Sequence, residues 1–246
     1  MTALRALICV LALALAPGAA NADTARIAVA SNFTSAAKAL ADEYAALSGH
    51  AITPSYGATG ALYLQISQGA PYAAFLAADQ ARPALLLQDD RAVPGSGFTY
   101  AIGELALFSR DAAAALGPDY LKQAPFERIA IADPATAPYG LAAMQTLQSL
   151  GLDAVLAPRI VRGKNIGQTF QFIWSGAAEA GFVARSQIAD AGAGAHWTVP
   201  SSLHEPIAQD AVLLDASSVA ARGFLAYLRS PAGRATISRH GYATPE

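Results

Sequence analysis

The chain has 246 residues, a formal net charge of −2, 54% hydrophobic residues and only 14% charged residues. No basic stripe is present, which argues against a nucleic-acid partner. The four histidines are scattered and none lies at metal-ligand spacing from another, so we expect neither a site for a bare metal cation nor a cofactor.

Residues 1–22 have the pattern of a secretory signal peptide. A positively charged start is followed by an apolar run over residues 6–16 and by a small-residue cleavage site between Ala22 and Asp23. The apolar run is too short for a good transmembrane span. The only cysteine, Cys9, lies in this segment. We therefore expect an exported chain without disulfides, thiolate metal sites or a cysteine nucleophile.

Apolar strands alternate with helical patterns in the remaining chain, which predicts an α/β fold with mostly parallel sheets. In the first part we predict strands over residues 26–30, 51–56 and 75–78, each followed by a helix. The first helix should end at Gly49. It carries an apolar stripe that should pack on the sheet, formed by Phe33, Ala37, Leu40, Tyr44 and Leu47.

Residues 98–109 form one long extended stretch, which we expect to cross from a first lobe to a second. A second α/β unit follows, and residues 207–214 should carry the chain back. Its predicted strands are 129–132, 160–161 and 181–184, its helices are 138–150 and 168–174, and the closing helices are 218–228 and 231–240. Two crossings predict two lobes joined by a hinge, with lobe 1 over 23–103, lobe 2 over 104–206 and a return segment of lobe 1 over 207–246.

Four junctions at which a helix begins share the same chemistry. They are Ser31-Asn32, Ala58-Thr59-Gly60, Pro138-Tyr139-Gly140 and Asn165-Ile166-Gly167. Each offers uncharged donors beside the unpaired N–H groups and the positive dipole end of a helix, and glycines let a ligand approach the backbone. Any one of them is typical of a simple helix cap. Two from each predicted lobe indicate an anion site in the crevice between the lobes, which would close on its ligand.

The lack of charge at these junctions narrows the range of possible ligands. Donors without acceptors suit an oxyanion that is fully ionised, whereas hydrogen phosphate would need a carboxylate to accept its proton. The junctions therefore favour a small tetrahedral dianion.

The junctions lie within a longer series of motifs that covers nearly the whole exported chain. The series comprises Val29–Thr34, Tyr56–Tyr63, Gln68–Pro71, Phe75–Asp79, Ala132–Pro134, Ala137–Gly140, Gly163–Ile166, Gly181–Ala184 and Gln209–Leu214. In these motifs the chain resembles the periplasmic molybdate-binding proteins of molybdate ABC transporters. The resemblance implies a two-lobed periplasmic-binding-protein type II fold with the ligand between the lobes. It also implies a monomeric periplasmic binding protein, not an enzyme, that delivers molybdate and tungstate to an inner-membrane ABC permease.

The resemblance also implies which residues donate to the oxyanion. Some family members place a tyrosine hydroxyl on the anion where this chain has Ala184, and we expect Asn32 to supply the missing donor. We expect Arg185 to be a surface or lobe-contact residue. We expect Gln209-Asp210 to form a hinge or an interlobe polar contact. The implied donors are Ser31, Asn32, Thr59 and the backbone of Tyr139 and Ile166.

Two other functions stay open. The same scaffold could be tuned to a different oxyanion such as sulfate. The chain could instead be an exported α/β hydrolase, in which Ser31 or Ser35 acts with a histidine and Asp210. No Gly-x-Ser-x-Gly motif precedes a helix, which argues against the hydrolase. Asp79 and Asp133 could form a catalytic carboxylate pair, but a helix cap and a turn explain them more simply.

Overall fold

The computed structural model describes residues 23–189 and 194–245. The predicted signal peptide and Cys9 lie outside the described residues. Within them, no helix combines the length and the apolar character needed to cross a membrane.

The described residues form helices and strands in alternation. The strands are β1 Thr24–Ala30, β2 Ala51–Gly57, β3 Ala74–Leu76, β4 Phe98–Gly103, β5 Leu105–Ser109, β6 Ile129–Ala132, β7 Ile160–Gly163, β8 Ala180–Ala184, β9 Ala195–Thr198 and β10 Ile207–Leu213. The helices are α1 Thr34–Ser48, α2 Thr59–Ser67, α3 Ala81–Gln88, α4 Pro118–Gln123, α5 Pro138–Ser149, α6 Asp153–Leu156, α7 Ile166–Trp174, α8 Arg185–Ala189, α9 Val219–Arg229 and α10 Pro231–Arg239. Short 3-10 turns occupy Ser31–Phe33, Ala157–Arg159 and Ser201–Leu203.

In the described part of the chain the strands build two five-stranded sheets, ordered β2-β1-β3-β10-β4 and β7-β6-β8-β5-β9. The first is parallel across β2-β1-β3 and antiparallel on both sides of β10. The second is parallel across β7-β6-β8 and antiparallel on both sides of β5. In each sheet four of the five strands run in one direction, which agrees with the predicted mostly parallel sheets, and only β10 in the first and β5 in the second run opposite to their neighbours.

The predicted long strand over residues 98–109 is two strands. β4 pairs with β10 in the first sheet, and β5 pairs with β8 and β9 in the second. Glu104 alone separates them. The extended stretch does pass from one sheet to the other, but the change of sheet divides it because each half pairs with different neighbours.

Helices cover both faces of each sheet. Successive residues of β1 face opposite cores: Val29 packs with Leu40 of α1 and Phe224 of α9, and Ala28 packs with Leu62 of α2. In the second sheet Ile131 of β6 packs in the core that contains α5, and Ala130 in the core that contains α7. The inner strands are therefore buried on both faces, which explains their continuous apolar runs.

Most of the predicted stripe of the first helix is buried as expected, and Gly49 ends the helix in a left-handed conformation. Phe33 is buried too, but it belongs to the 3-10 turn that precedes α1. The prediction is wrong for Leu47, which is 72% exposed. Leu47 points within about 20° of the buried Leu40, but it lies in the last turn of α1, beyond Tyr44, the last buried residue of the helix.

Candidate oxyanion-binding site

The structure brings all five predicted donor residues to one small cavity. The cavity encloses about 180 Å³ of empty space including its mouth, and none of the residues in its wall is charged. The wall consists of the five predicted residues, Ser31, Asn32, Thr59, Tyr139 and Ile166, together with Ala30, Gly57, Ala58, Ala78, Ala137 and Pro138.

Strand register explains why the four junctions meet. Ala30, the last residue of β1, pairs with Gly57 at the end of β2, so the two junctions of the first sheet lie side by side. Ala132 of β6 pairs in the same way with Gly163 of β7, next to the starts of α5 and α7. Parallel neighbours thus present their carboxyl ends, and the helix starts that follow, at one edge of each sheet.

Two of the predicted donor residues belong to the first turn of a helix. Ile166 is the first residue of α7 and Tyr139 is the second residue of α5. Backbone N–H groups at these positions have no acceptor within their own helix. Asn165 caps α7 by accepting the N–H of Gln168 at 2.9 Å, which leaves the N–H of Ile166 for another partner. α7 begins two residues earlier than predicted, and this places Ile166 in the first turn.

Thr59 is 1% exposed, and its hydroxyl oxygen accepts the backbone N–H of Ala78 at 3.0 Å. Ala78 also lies in the wall of the cavity and was not among the predicted site residues. Ala78 follows β3, and β3 pairs in parallel with β1. That position is the feature from which Ala78 could have been predicted as a site residue.

Asn32 differs from the expectation. Its side-chain nitrogen donates to Oε1 of Gln209 at 2.8 Å and to the hydroxyl of Tyr242 at 3.1 Å. A carboxamide has two N–H hydrogens, so both are already used. In this structure the side chain has no hydrogen left for an anion, so the prediction that Asn32 supplies a donor now concerns its backbone N–H in the 3-10 turn. The sequence did not indicate these bonds because both partners are distant along the chain: Gln209 lies in β10 and Tyr242 in the C-terminal segment.

The other residues singled out near the site have defined places. Ala184 ends β8, is buried, and donates its N–H to Oε1 of Gln187 at 3.0 Å. Arg185 begins α8 and donates its N–H to the carbonyl of Glu104 at 2.9 Å. It is not part of the cavity wall. Gln209 is fully buried and is hydrogen bonded to Asn32.

The two sides of the cavity touch through polar contacts. Gly60 at the start of α2 donates its N–H to the carbonyl of Thr136 at 2.8 Å. Gly167 of α7 donates its N–H to Oγ of Ser31 at 3.4 Å. At Gly140 a Cβ would collide with the carbonyl oxygen of Ala132. The junction glycines therefore permit backbone elements to approach each other, rather than leaving backbone open to a ligand as predicted.

The residues considered for catalysis have structural partners. Asp79 accepts the N–H of Arg82 in the first turn of α3 at 3.0 Å, and Asp133 accepts the N–H of Ala135 at 3.1 Å. The cap and the turn are thus confirmed. Asp210 accepts from Thr99 and Gln80, not from a histidine. Over residues 23–189 and 194–245, no group of three or more His, Cys, Asp or Glu side chains is placed to hold a metal ion.

Comparison with known proteins identifies relatives of this chain. A family model described as "Bacterial extracellular solute-binding protein" matches residues 25–243. The molybdate-binding protein ModA of Rhodobacter capsulatus is 44% identical over 241 residues, which cover 97% of this chain and 94% of the relative. ModA of Azotobacter vinelandii is 42% identical and covers 91% of each chain.

A solved structure, the periplasmic molybdate-binding protein of Azotobacter vinelandii, matches with a TM-score of 0.87 at 39% identity, covering 90% of this chain and 100% of the other. This match confirms the predicted type II binding-protein fold. The relatives are named as binding proteins, in agreement with the prediction of a binding protein rather than an enzyme. The chain belongs to the family of bacterial extracellular solute-binding proteins and, within it, to the ModA proteins.

Proposed function

We propose that this protein captures molybdate in the periplasm and delivers it to an ABC permease in the inner membrane. The names of its relatives, which are molybdate-binding proteins, support this ligand. In this proposal the protein is a monomer that is exported by the signal peptide at residues 1–22. One lobe comprises residues 23–103 and 207–246, the other comprises residues 104–206, and the two close on the ligand.

One observation carries the proposal: uncharged donors from four helix starts surround a single cavity. We assign the oxyanion contacts to the hydroxyls of Ser31 and Thr59 and to the backbone N–H groups of Asn32, Tyr139 and Ile166. Each hydrogen bond to a charged group contributes about 1.5–3 kcal/mol, so several neutral donors suffice to hold a dianion. A wall without a carboxylate disfavours an anion that still carries a proton.

Tungstate should bind as well, because its charge, shape and size are nearly those of molybdate. Sulfate has the same charge and shape but is smaller. Donors that are fixed at helix starts cannot all follow a smaller anion inward, so the size of the cavity should provide the discrimination.

Isothermal titration calorimetry of the purified protein with molybdate, tungstate, sulfate and phosphate tests the proposal. We expect saturable heats with molybdate and tungstate and none with sulfate or phosphate. A sulfate signal without a molybdate signal would overturn the proposal in favour of another oxyanion. Ester turnover that disappears in Ser31→Ala would overturn it in favour of a hydrolase.

A further inference from the structure

Gln209 is a fully buried polar residue in β10, the strand that returns to the first sheet. The pairing of β10 with β4 shifts register between Gln209 and Asp210. Such an irregularity changes the direction in which a side chain points. A buried carboxamide is costly unless its hydrogen bonds are made, so its partners indicate what it does.

The partners of Gln209 lie on both sides of the oxyanion cavity. Its Oε1 accepts from the side chain of Asn32 at 2.8 Å and lies 3.2 Å from the hydroxyl of Tyr100, whose single hydrogen is shared with the carbonyl of Ala77 at 2.9 Å. Its Nε2 donates to the hydroxyl of Tyr139 at 3.4 Å. Asn32 follows β1 of the first sheet, whereas Tyr139 belongs to α5, which packs on the second. One carboxamide therefore joins two of the proposed donor residues across the cavity.

Asn32 is held at its main chain as well as its side chain. The hydroxyl of Tyr242 donates to the carbonyl oxygen of Asn32 at 2.7 Å, and Ser186 of α8 donates to the hydroxyl of Tyr242 at 2.9 Å. The carbonyl belongs to the peptide group that Asn32 shares with Phe33, whereas its N–H belongs to the one that it shares with Ser31. The bonds to the carbonyl and to the side chain therefore anchor the residue that bears the N–H we assign to the oxyanion, without contacting that N–H.

The backbone at the crossing between the sheets leaves room for this arrangement. A Cβ on Gly103, the last residue of β4, would collide with the hydroxyl of Tyr139 and would lie 2.7 Å from Nε2 of Gln209. Burial raises the pKa of Tyr139 and of Tyr100 well above the usual value, so both hydroxyls stay neutral. The surroundings of Gln209 suit an uncharged carboxamide and would penalise a carboxylate.

We infer that Gln209 is a positioning residue that links Asn32 to Tyr139, so that the donors on the two sides of the cavity close on the oxyanion together. The inference rests on the proposed function, because it concerns the same site. Gln209 does not touch the ligand in this arrangement; it acts through its two neighbours. Its loss should therefore affect the closed, ligand-bound state most.

The first test replaces Gln209 with a side chain of similar length that donates no hydrogen bond and accepts only weakly. In Gln209→Met the Asn32 side chain and the Tyr139 hydroxyl lose a partner, and we expect molybdate affinity to fall roughly tenfold. The loss should appear mainly as faster dissociation in stopped-flow measurements, since the link spans both sides of the cavity. The control is Gln148→Met on the exposed face of α5, which should bind like the unsubstituted protein.

The second test distinguishes positioning from general damage to the fold. In Gln209→Glu a protonated carboxyl can accept from Asn32 and donate to Tyr139, whereas the carboxylate can only accept and also repels a dianion. Because burial raises the pKa of a carboxyl group, affinity relative to the unsubstituted protein should recover as the pH falls from about 8 to about 5.5. The molybdate affinity of Gln209→Met relative to the unsubstituted protein should stay constant over this pH range.

Normal affinity in Gln209→Met, or a Gln209→Glu ratio that does not change with pH, would overturn the inference. Either result would leave the proposed function intact, because the unsubstituted protein would still bind molybdate. If the unsubstituted protein bound no molybdate, the proposed function would fail and this inference with it.

Discussion

The backbone N–H of Ala78 donates to the hydroxyl oxygen of Thr59 at 3.0 Å, and both residues lie in the wall of the oxyanion cavity. Because the oxygen is already an acceptor in this bond, the hydroxyl hydrogen must turn towards a different acceptor. The end of β3 thus restricts the rotation of a buried side chain whose hydroxyl we assign as a donor to the oxyanion.

Thr59→Val should therefore weaken molybdate binding by about 1–3 kcal/mol, because it removes the donor and also leaves the Ala78 N–H without its partner. Thr59→Ser should retain most of the affinity, since it keeps the hydroxyl. The measurement is calorimetric titration of both variants. Thr53→Val, at an exposed position of β2, is the matched control. Equal affinity in the two Thr59 variants would contradict the assigned role of the hydroxyl.

We expect two substitutions of Asn32 to weaken molybdate binding to different extents. Asn32→Ala removes the bonds to Gln209 and Tyr242 and should weaken molybdate binding by about 1–3 kcal/mol without unfolding the protein. Asn32→Asp should weaken binding further, because a carboxylate cannot donate to Gln209 and repels a dianion. Titration measures the affinities, and circular dichroism verifies the fold. Tighter binding by the aspartate variant than by the alanine variant would contradict this account.

Gly140 provides a test of backbone packing at the start of α5. In Gly140→Ala the new Cβ would collide with the Ala132 carbonyl, so the start of the helix must move away from β6. Overpacking of this kind costs about 1–3 kcal/mol of unfolding free energy, and it should also displace the Tyr139 N–H. Denaturant unfolding should show a lower free energy of unfolding, and titration should show weaker molybdate binding. Leu141→Ala, at a neighbouring exposed position of the same helix, should change neither by a comparable amount.

The lowered pKa of Glu43 predicts that the stability of the protein depends on pH. Burial acts to raise the pKa of this carboxyl, but hydrogen bonds from Tyr227 and Thr236 and the charge of Arg239 outweigh it and lower the pKa below the usual 4.5. A lowered pKa in the folded state means that the stabilisation is present above the unfolded value and is lost as the pH falls through the folded value. Glu43→Gln should therefore destabilise the protein at neutral pH by about 1 kcal/mol.

The difference in unfolding free energy between Glu43→Gln and the unsubstituted protein should shrink as the pH is lowered below the usual pKa of 4.5 and through the lowered pKa of the folded state. Thermal unfolding at several pH values measures it. A difference that stayed constant down to acidic pH would show that the carboxylate charge plays no part. Asp42→Asn, on the exposed side of the same helix, serves as a charge-matched control.

The sequence allowed prediction of those features that depend on neighbouring residues. Each of the four junctions is a strand end followed by a helix start, and the N–H groups at such a place are unpaired for local reasons. Parallel pairing then brings the junctions together at one edge. This is why the four junctions could be predicted to form one site from local pattern, whereas the individual donors within them were implied by the resemblance to molybdate-binding proteins.

The partners of Asn32 could not be identified in this way. Gln209 is 177 positions away and Tyr242 is 210 positions away. No local pattern indicates that these side chains use both amide hydrogens of Asn32. The short elements escaped prediction for a different reason: α6 and α8 have four and five residues, too few to show a helical period.

The placement of β10 has a consequence for the order in which the protein is completed. β10 lies between β3 and β4 in the first sheet, and β4 has no other neighbour in that sheet. The second sheet draws all its strands from the continuous segment between Leu105 and Thr198. As the chain emerges amino end first, the second sheet can therefore assemble before the first is whole. The first sheet therefore receives its last strand only after every strand of the second has emerged.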